Sequence, residues 1–231
     1  MSIRTARSSF GFTLIELLVV IAVIALLIGI MLPSLARARD TGRVVVCLSQ
    51  MKTLGTFTGM YSDEFGQMPR SQHSAMAHRV APWGYAFYSY ITGQDYVRAD
   101  ASWQAVFNSH YRCPLDRRES RWSYGYNVYF ELSPDETGGR SWRRATSAPM
   151  PSGTVLFAEL SDLTTADHAM AHFWVRYNAP PEIDQTRHLG RTGVCFLDGH
   201  AESVSWGSIF DRDSQIDQFN PATARSSVGA R

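Results

Sequence analysis

The chain has 231 residues, enough for one domain of ordinary size beside an apolar N-terminus. Its 22 Lys and Arg against 21 Asp and Glu leave a formal net charge of +1, so it lacks the cationic field that gathers nucleic acid. Cys47, Cys113 and Cys195 lie far apart with no CxxC pair, which argues against a zinc ribbon or a thioredoxin-like site and leaves at least one thiol unpaired.

The first element is apolar. From Phe12 to Leu32, 21 residues carry Glu16 as their one ionisable side chain. At about 1.5 Å rise per residue, a helix of that length crosses the roughly 30 Å hydrocarbon core of a bilayer. Arg4 and Arg7 would suit the basic start of a secretory signal peptide. Such a peptide has a shorter apolar run, followed by a small-residue cleavage site. Here the small residue, Gly11, precedes the run, and Pro33 closes it.

Gly11-Phe12-Thr13-Leu14-Ile15-Glu16 resembles the leader junction of type IV prepilins and type II secretion pseudopilins. The resemblance implies that residues 1–11 are a leader removed by a prepilin peptidase between Gly11 and Phe12, with N-methylation of Phe12. It implies a transmembrane helix over residues 12–33, with Glu16 and Pro33 as assembly residues. The implied partners are other pilin-like subunits, the peptidase, inner-membrane assembly machinery and membrane lipid, with no nucleic acid. The implied location is a single pass through the inner membrane, with the globular part in the periplasm or outside.

A carboxylate inside a membrane is costly unless paired, and the Phe12 amine of a neighbouring subunit would supply the cation. The alternative role for Glu16 is simpler: an acid beside the positive end of the helix dipole.

After Pro33, apolar residues at three- and four-residue steps, among them Val44, Cys47, Met51, Leu54 and Tyr61, predict an amphipathic continuation of the helix over residues 34–62. A globular domain is expected over 63–212, beginning with a loop that Gly66, Pro69 and Pro82 punctuate. "WGYAFYSYIT" reads as a short helix lying on the sheet with its aromatics packed in the core, and Trp83, Tyr85 and Tyr88 are the residues that the alternative, a sugar-binding groove, would expose.

Strands are expected at 122–130, 153–160, 193–198 and 200–206. The last two join through Asp198-Gly199, which favours a two-residue type I′ hairpin with φ above zero at both positions. Residues 213–231 are expected as a mobile tail. The fold class is α+β: a long N-terminal helix, transmembrane then amphipathic, packed on a small antiparallel sheet.

"RHLGRTGVCFLDGH" places His188 nine residues before Asp198-Gly199. With Cys47, the Cys113-Pro114-Leu115-Asp116 segment and Ser123-Tyr124-Gly125-Tyr126-Asn127, it resembles the H-X9-DG element and companion motifs of a large bacterial group of prepilin-type proteins. His188, Asp198 and Gly199 are taken as structural residues of the hairpin. Asp198 and His200 beside His188, or His168 and His172 at helical spacing, have ligand chemistry for zinc, but no third ligand stands in register and no metal or other cofactor is assigned. In an oxidising periplasm Cys47 and Cys113 are candidates for a disulfide, which needs Cα atoms within about 7 Å.

No catalytic signature is present, and Glu159 with Asp162 is the one carboxylate pair considered for acid/base work. The function expected is therefore a pseudopilin, a structural filament subunit of a type II secretion or related system. The alternatives are a filament-associated adhesin or ligand-binding subunit, and a membrane-anchored periplasmic enzyme.

Overall fold

The computed structural model describes residues 13–97 and 101–225. Helix α1, Leu14–Phe65, contributes to two compact units, one ending at Thr41 and the other beginning at Gly42. In the first unit every residue from Thr13 to Arg39 is exposed, including the whole apolar run. Among the described residues this is the one helix long and apolar enough to cross a membrane. Pro33 lies inside it.

In the second unit α1 buries Cys47, Met51, Leu54, Gly55 and Thr58. These three- and four-residue steps make one stripe, which provides the helix with its core contact. Short helices follow: α2 Gln72–His78, α3 Trp83–Ala86, α4 Tyr88–Thr92 and α5 Trp103–His110. Trp83, Phe87 and Tyr88 are buried, and the Trp83 ring meets Phe157, Trp122 and Tyr111 at 5.0 to 5.5 Å. These aromatics are core, and Tyr85 is half-buried against Trp103, so the exposed aromatic groove expected for a sugar binder is not formed by them.

The sheet contains β1 Tyr124–Asn127, β2 Val155–Glu159, β3 His168–Ala169, β4 Thr192–Phe196 and β5 Ala201–Val204, in the order β3-β1-β2-β4-β5. All pairs are antiparallel except β1 with β3. The sheet is therefore mixed, not antiparallel throughout. The cause is local: β2 ends at Glu159, opposite Tyr124 at the start of β1, and the chain then crosses to the outer edge of β1 and enters it from the same end. β1, β2 and β4 are buried at every position, so they lack the polar alternation of a half-exposed strand.

Helix α6, Ala171–Arg176, follows β3. Near the C-terminus come α7 Trp206–Ile209 and the β6–β7 hairpin, Phe210–Asp211 with Ile216–Asp217. The segment expected as a mobile tail is thus part of the fold as far as it is described. Val155 N–H donates to the Gln218 carbonyl at 2.8 Å, and Phe219 is buried among Trp174, Trp206 and Phe210. One aromatic, Phe219, within a polar stretch gives no period from which to predict this docking.

Candidate functional site

Five motif residues of the sequence, Cys47, Cys113, Asp116, Ser123 and His188, meet in one buried junction of α1 with the sheet. Cys47, on the buried stripe of α1, forms a disulfide with Cys113, which follows α5; the Cα atoms are 5.1 Å apart across a sequence separation of 66. His188 lies beside it, its Nε2 3.9 Å from Cys113 Sγ and 2.7 Å from Glu159 Oε1. A carboxylate only accepts, so Nε2–H donates to Glu159. The other oxygen of Glu159 accepts from Gly193 N–H at 3.0 Å. All four side chains are buried, and among the described residues His188 Nδ1 has no hydrogen-bond partner.

Arg187 balances the carboxylates. Its guanidinium lies 3.8 Å from Glu159, 3.6 Å from Asp116 and 2.9 Å from Asp184. Asp116 also accepts from Ser123 Oγ at 2.7 Å and from the Arg118 guanidinium at 2.6 Å. Burial acts to raise its pKa, but the Arg118 hydrogen bonds, the Arg187 charge and Ser123 together outweigh it and hold the carboxyl at about 2. The junction is a buried, paired ion cluster.

The remaining motif positions have structural reasons. Tyr124 Oη donates to Gln50 Oε1 at 2.6 Å, tying β1 to α1. A Cβ on Gly125 would lie 2.4 Å from Leu160 Cδ2, so the strand needs glycine for this contact. Asn127 Nδ2 lies 2.7 Å from both the Val155 and the Phe219 carbonyls, joining β1 to β2 and to the C-terminal segment. Cys195 is a buried free thiol, and burial pushes its pKa up to about 12.

His188, Asp198 and His200 do not form a cluster. β4 lies between them, with His188 before its first residue and Asp198 after its last. Asp198 Oδ1 instead meets His200 Nδ1 at 2.5 Å and accepts His200 N–H at 3.1 Å, while the His200 ring stacks on Phe196 at 4.4 Å. The turn is also not type I′. Gly199 has φ +87° but Asp198 does not take a positive φ, and Gly199 N–H donates to the Phe196 carbonyl at 2.9 Å. Leu197, Asp198 and Gly199 form a three-residue loop ending in a left-handed glycine, the second-commonest hairpin solution.

His168 lies in β3 and His172 in α6, so the two do not share a helix. Glu159 and Asp162 diverge, one fully buried and the other with its side chain 88% exposed. Arg187, Gly55 and the partnership of Glu159 with His188 were not found from sequence. A lone glutamate in the apolar strand "VLFAEL" was the available signal, because a carboxylate fully buried there needs a partner. Gly55 matters through contact: a Cβ there would lie 2.7 Å from Cys195 Sγ and 3.2 Å from Gly199 Cα.

In the first unit, Gly11 and Phe12 lie outside the described residues. Thr13 and Glu16 form a reciprocal cap: Glu16 Oε2 accepts from Thr13 N–H at 2.8 Å and Thr13 Oγ1 at 2.7 Å, and Thr13 Oγ1 accepts from Glu16 N–H at 3.3 Å. Within one chain the glutamate therefore satisfies free donors at the helix start.

Residues 6–32 match the family model of the prokaryotic N-terminal methylation motif. The chain is 42% identical over 55 residues to the type IV wide pilus major component PilA4 of Thermus thermophilus. That match covers 24% of this chain and 42% of the relative, less than half of its length. No solved structure matches the chain. A methylation motif, a pilin relative over 55 residues and a long apolar helix joined to a small sheet make the chain similar to type IV pilins.

Proposed function

We propose that this protein is a structural subunit of a filament, of the pseudopilin kind that serves a type II secretion or related system. The observation that carries the proposal is the apolar run of α1, exposed along its length, with one carboxylate in its first turn and all of it inside or beside the matched methylation motif. An exposed surface of this kind needs lipid or other apolar helices around it. In this reading prepilin peptidase cuts between Gly11 and Phe12, residues 12–33 anchor the subunit in the inner membrane, and the second unit faces the periplasm. Assembly then transfers the helix from lipid into a bundle of other pilin-like subunits. Glu16 exchanges its Thr13 cap for the Phe12 amine of a neighbour, which sets the register.

The test is the mature N-terminus. Intact-mass and N-terminal peptide analysis of the protein from membranes of its source is expected to find residues 1–11 missing and Phe12 methylated. A mature chain that starts beyond residue 32 would mark an ordinary secretory signal and overturn the proposal.

A further inference from the structure

We propose that the reduced chain holds one Zn²⁺ between Cys47 Sγ, Cys113 Sγ, His188 Nε2 and Glu159 Oε1. This site is independent of the filament reading, since it lies wholly in the second unit. The four donors come from α1, from the segment after α5, from β2 and from the loop before β4, and all lie within 4.8 Å of one another. Once reduction parts the two bonded sulfurs, the donors are within reach of the spacing zinc asks for. With bonds of about 2.3 Å to sulfur and about 2.0 Å to nitrogen or oxygen, tetrahedral ligand atoms stand roughly 3.3 to 3.8 Å apart. The Sγ of Cys113 and Nε2 of His188 are 3.9 Å apart now, and Nε2 and Glu159 Oε1 are 2.7 Å apart.

The surroundings fit the donor set. Gly193 N–H holds Glu159 Oε2, which leaves Oε1 for a metal. Two thiolates and one carboxylate against Zn²⁺ leave one negative charge, the same as the Glu159 carboxylate carries beside the disulfide, with the Arg187 guanidinium 3.8 Å from it in either closure. Exchange of the disulfide for the metal therefore adds no charge to the buried cluster.

The two closures exchange through balanced steps. A phosphine reductant breaks the S–S bond and takes the oxygen of one water to become its oxide, and the two hydrogens of that water leave both cysteines as thiols. Zinc then displaces the two thiol protons and forms two Zn–S bonds, one Zn–N bond and one Zn–O bond. His188 Nε2 gives up its hydrogen bond to Glu159, and the ring proton moves to Nδ1.

The test uses the full chain in detergent, oxidised or reduced anaerobically with a phosphine, with three free thiols confirmed by counting after denaturation. Each form is offered Zn²⁺, desalted and measured by elemental analysis, and Co²⁺ is used in parallel as a spectroscopic probe. The reduced chain is expected to retain one zinc and the oxidised chain none. Cobalt should show thiolate charge transfer with tetrahedral ligand-field bands. Glu159→Gln and His188→Ala should weaken zinc retention against a competing chelator at least tenfold, on the order of 1.4 kcal/mol or more. Circular dichroism separates loss of a ligand from loss of fold. A reduced wild-type chain that keeps its fold and takes up no zinc overturns the proposal. So does one that unfolds equally with and without zinc, or whose uptake survives Cys47→Ser with Cys113→Ser.

Discussion

Glu16 and Asp116 show how much a carboxylate's surroundings decide. The Thr13 cap explains Glu16 inside one chain, so the assembly role proposed for it must be separated by mutation. Glu16→Ala is expected to insert in the membrane as wild type does, with crosslinked multimers strongly reduced. Membrane fractionation followed by crosslinking measures both, and unchanged crosslinking leaves Glu16 the capping role alone. Asp116 predicts an acid limit. Its folded pKa is depressed to about 2, so its contribution is fully present above the unfolded value of 3.8 and is lost as pH falls from there through the folded value. That contribution is of order 2 kcal/mol. Denaturant melts of wild type should weaken by about that amount across this window, and Asp116→Asn should remove that part of the pH dependence while being less stable at neutral pH.

At the scale of elements, two glycines hold the sheet and its hairpin in shape. Gly199 at φ +87° places a side chain in strained backbone, so Gly199→Val is expected to cost about 1–3 kcal/mol, whereas Gly199→Asn should cost less because asparagine tolerates the left-handed region. Equilibrium unfolding in urea ranks the two, and equal losses would place the cost elsewhere. Gly125→Ala drives a Cβ into Leu160 within a fully buried strand pair and should cost about 1–3 kcal/mol. If the clash is the cause, Leu160→Ala in the same chain should recover part of the loss, and a double-mutant cycle would show coupling of about 0.5 kcal/mol or more.

For the whole molecule, the Cys47–Cys113 bond closes a loop with a sequence separation of 66, and α1 is linked to the sheet domain through it. Chain entropy assigns such a closure about 4 kcal/mol. Cys47→Ser, or reduction with zinc chelated, is therefore expected to lower the melting temperature of the second unit by several degrees or more. Cys195 should stay unmodified by a thiol alkylator in the native protein and react only on unfolding, since it is buried and its thiol is held protonated. Rapid native labelling of one thiol per chain would contradict this burial, and labelling of two or three would contradict the disulfide.

By itself the sequence determined the apolar helix, its acidic first turn and its amphipathic continuation, because these depend on composition and on periods of three to four residues along one segment. It also placed the main strands, and Gly199 as a turn residue, through local chemistry. Tertiary structure decided the rest. The parallel β3, the docking of Phe219 and the separation of His188 from Asp198 follow from which strand the chain crosses and where it returns. The junction of Cys47, Cys113, Glu159 and His188 joins positions from 29 to 141 residues apart. Such proximity has no local signature. A buried glutamate shows that a partner is required, and only the packing of α1 on β2 and β4 shows which partner it is.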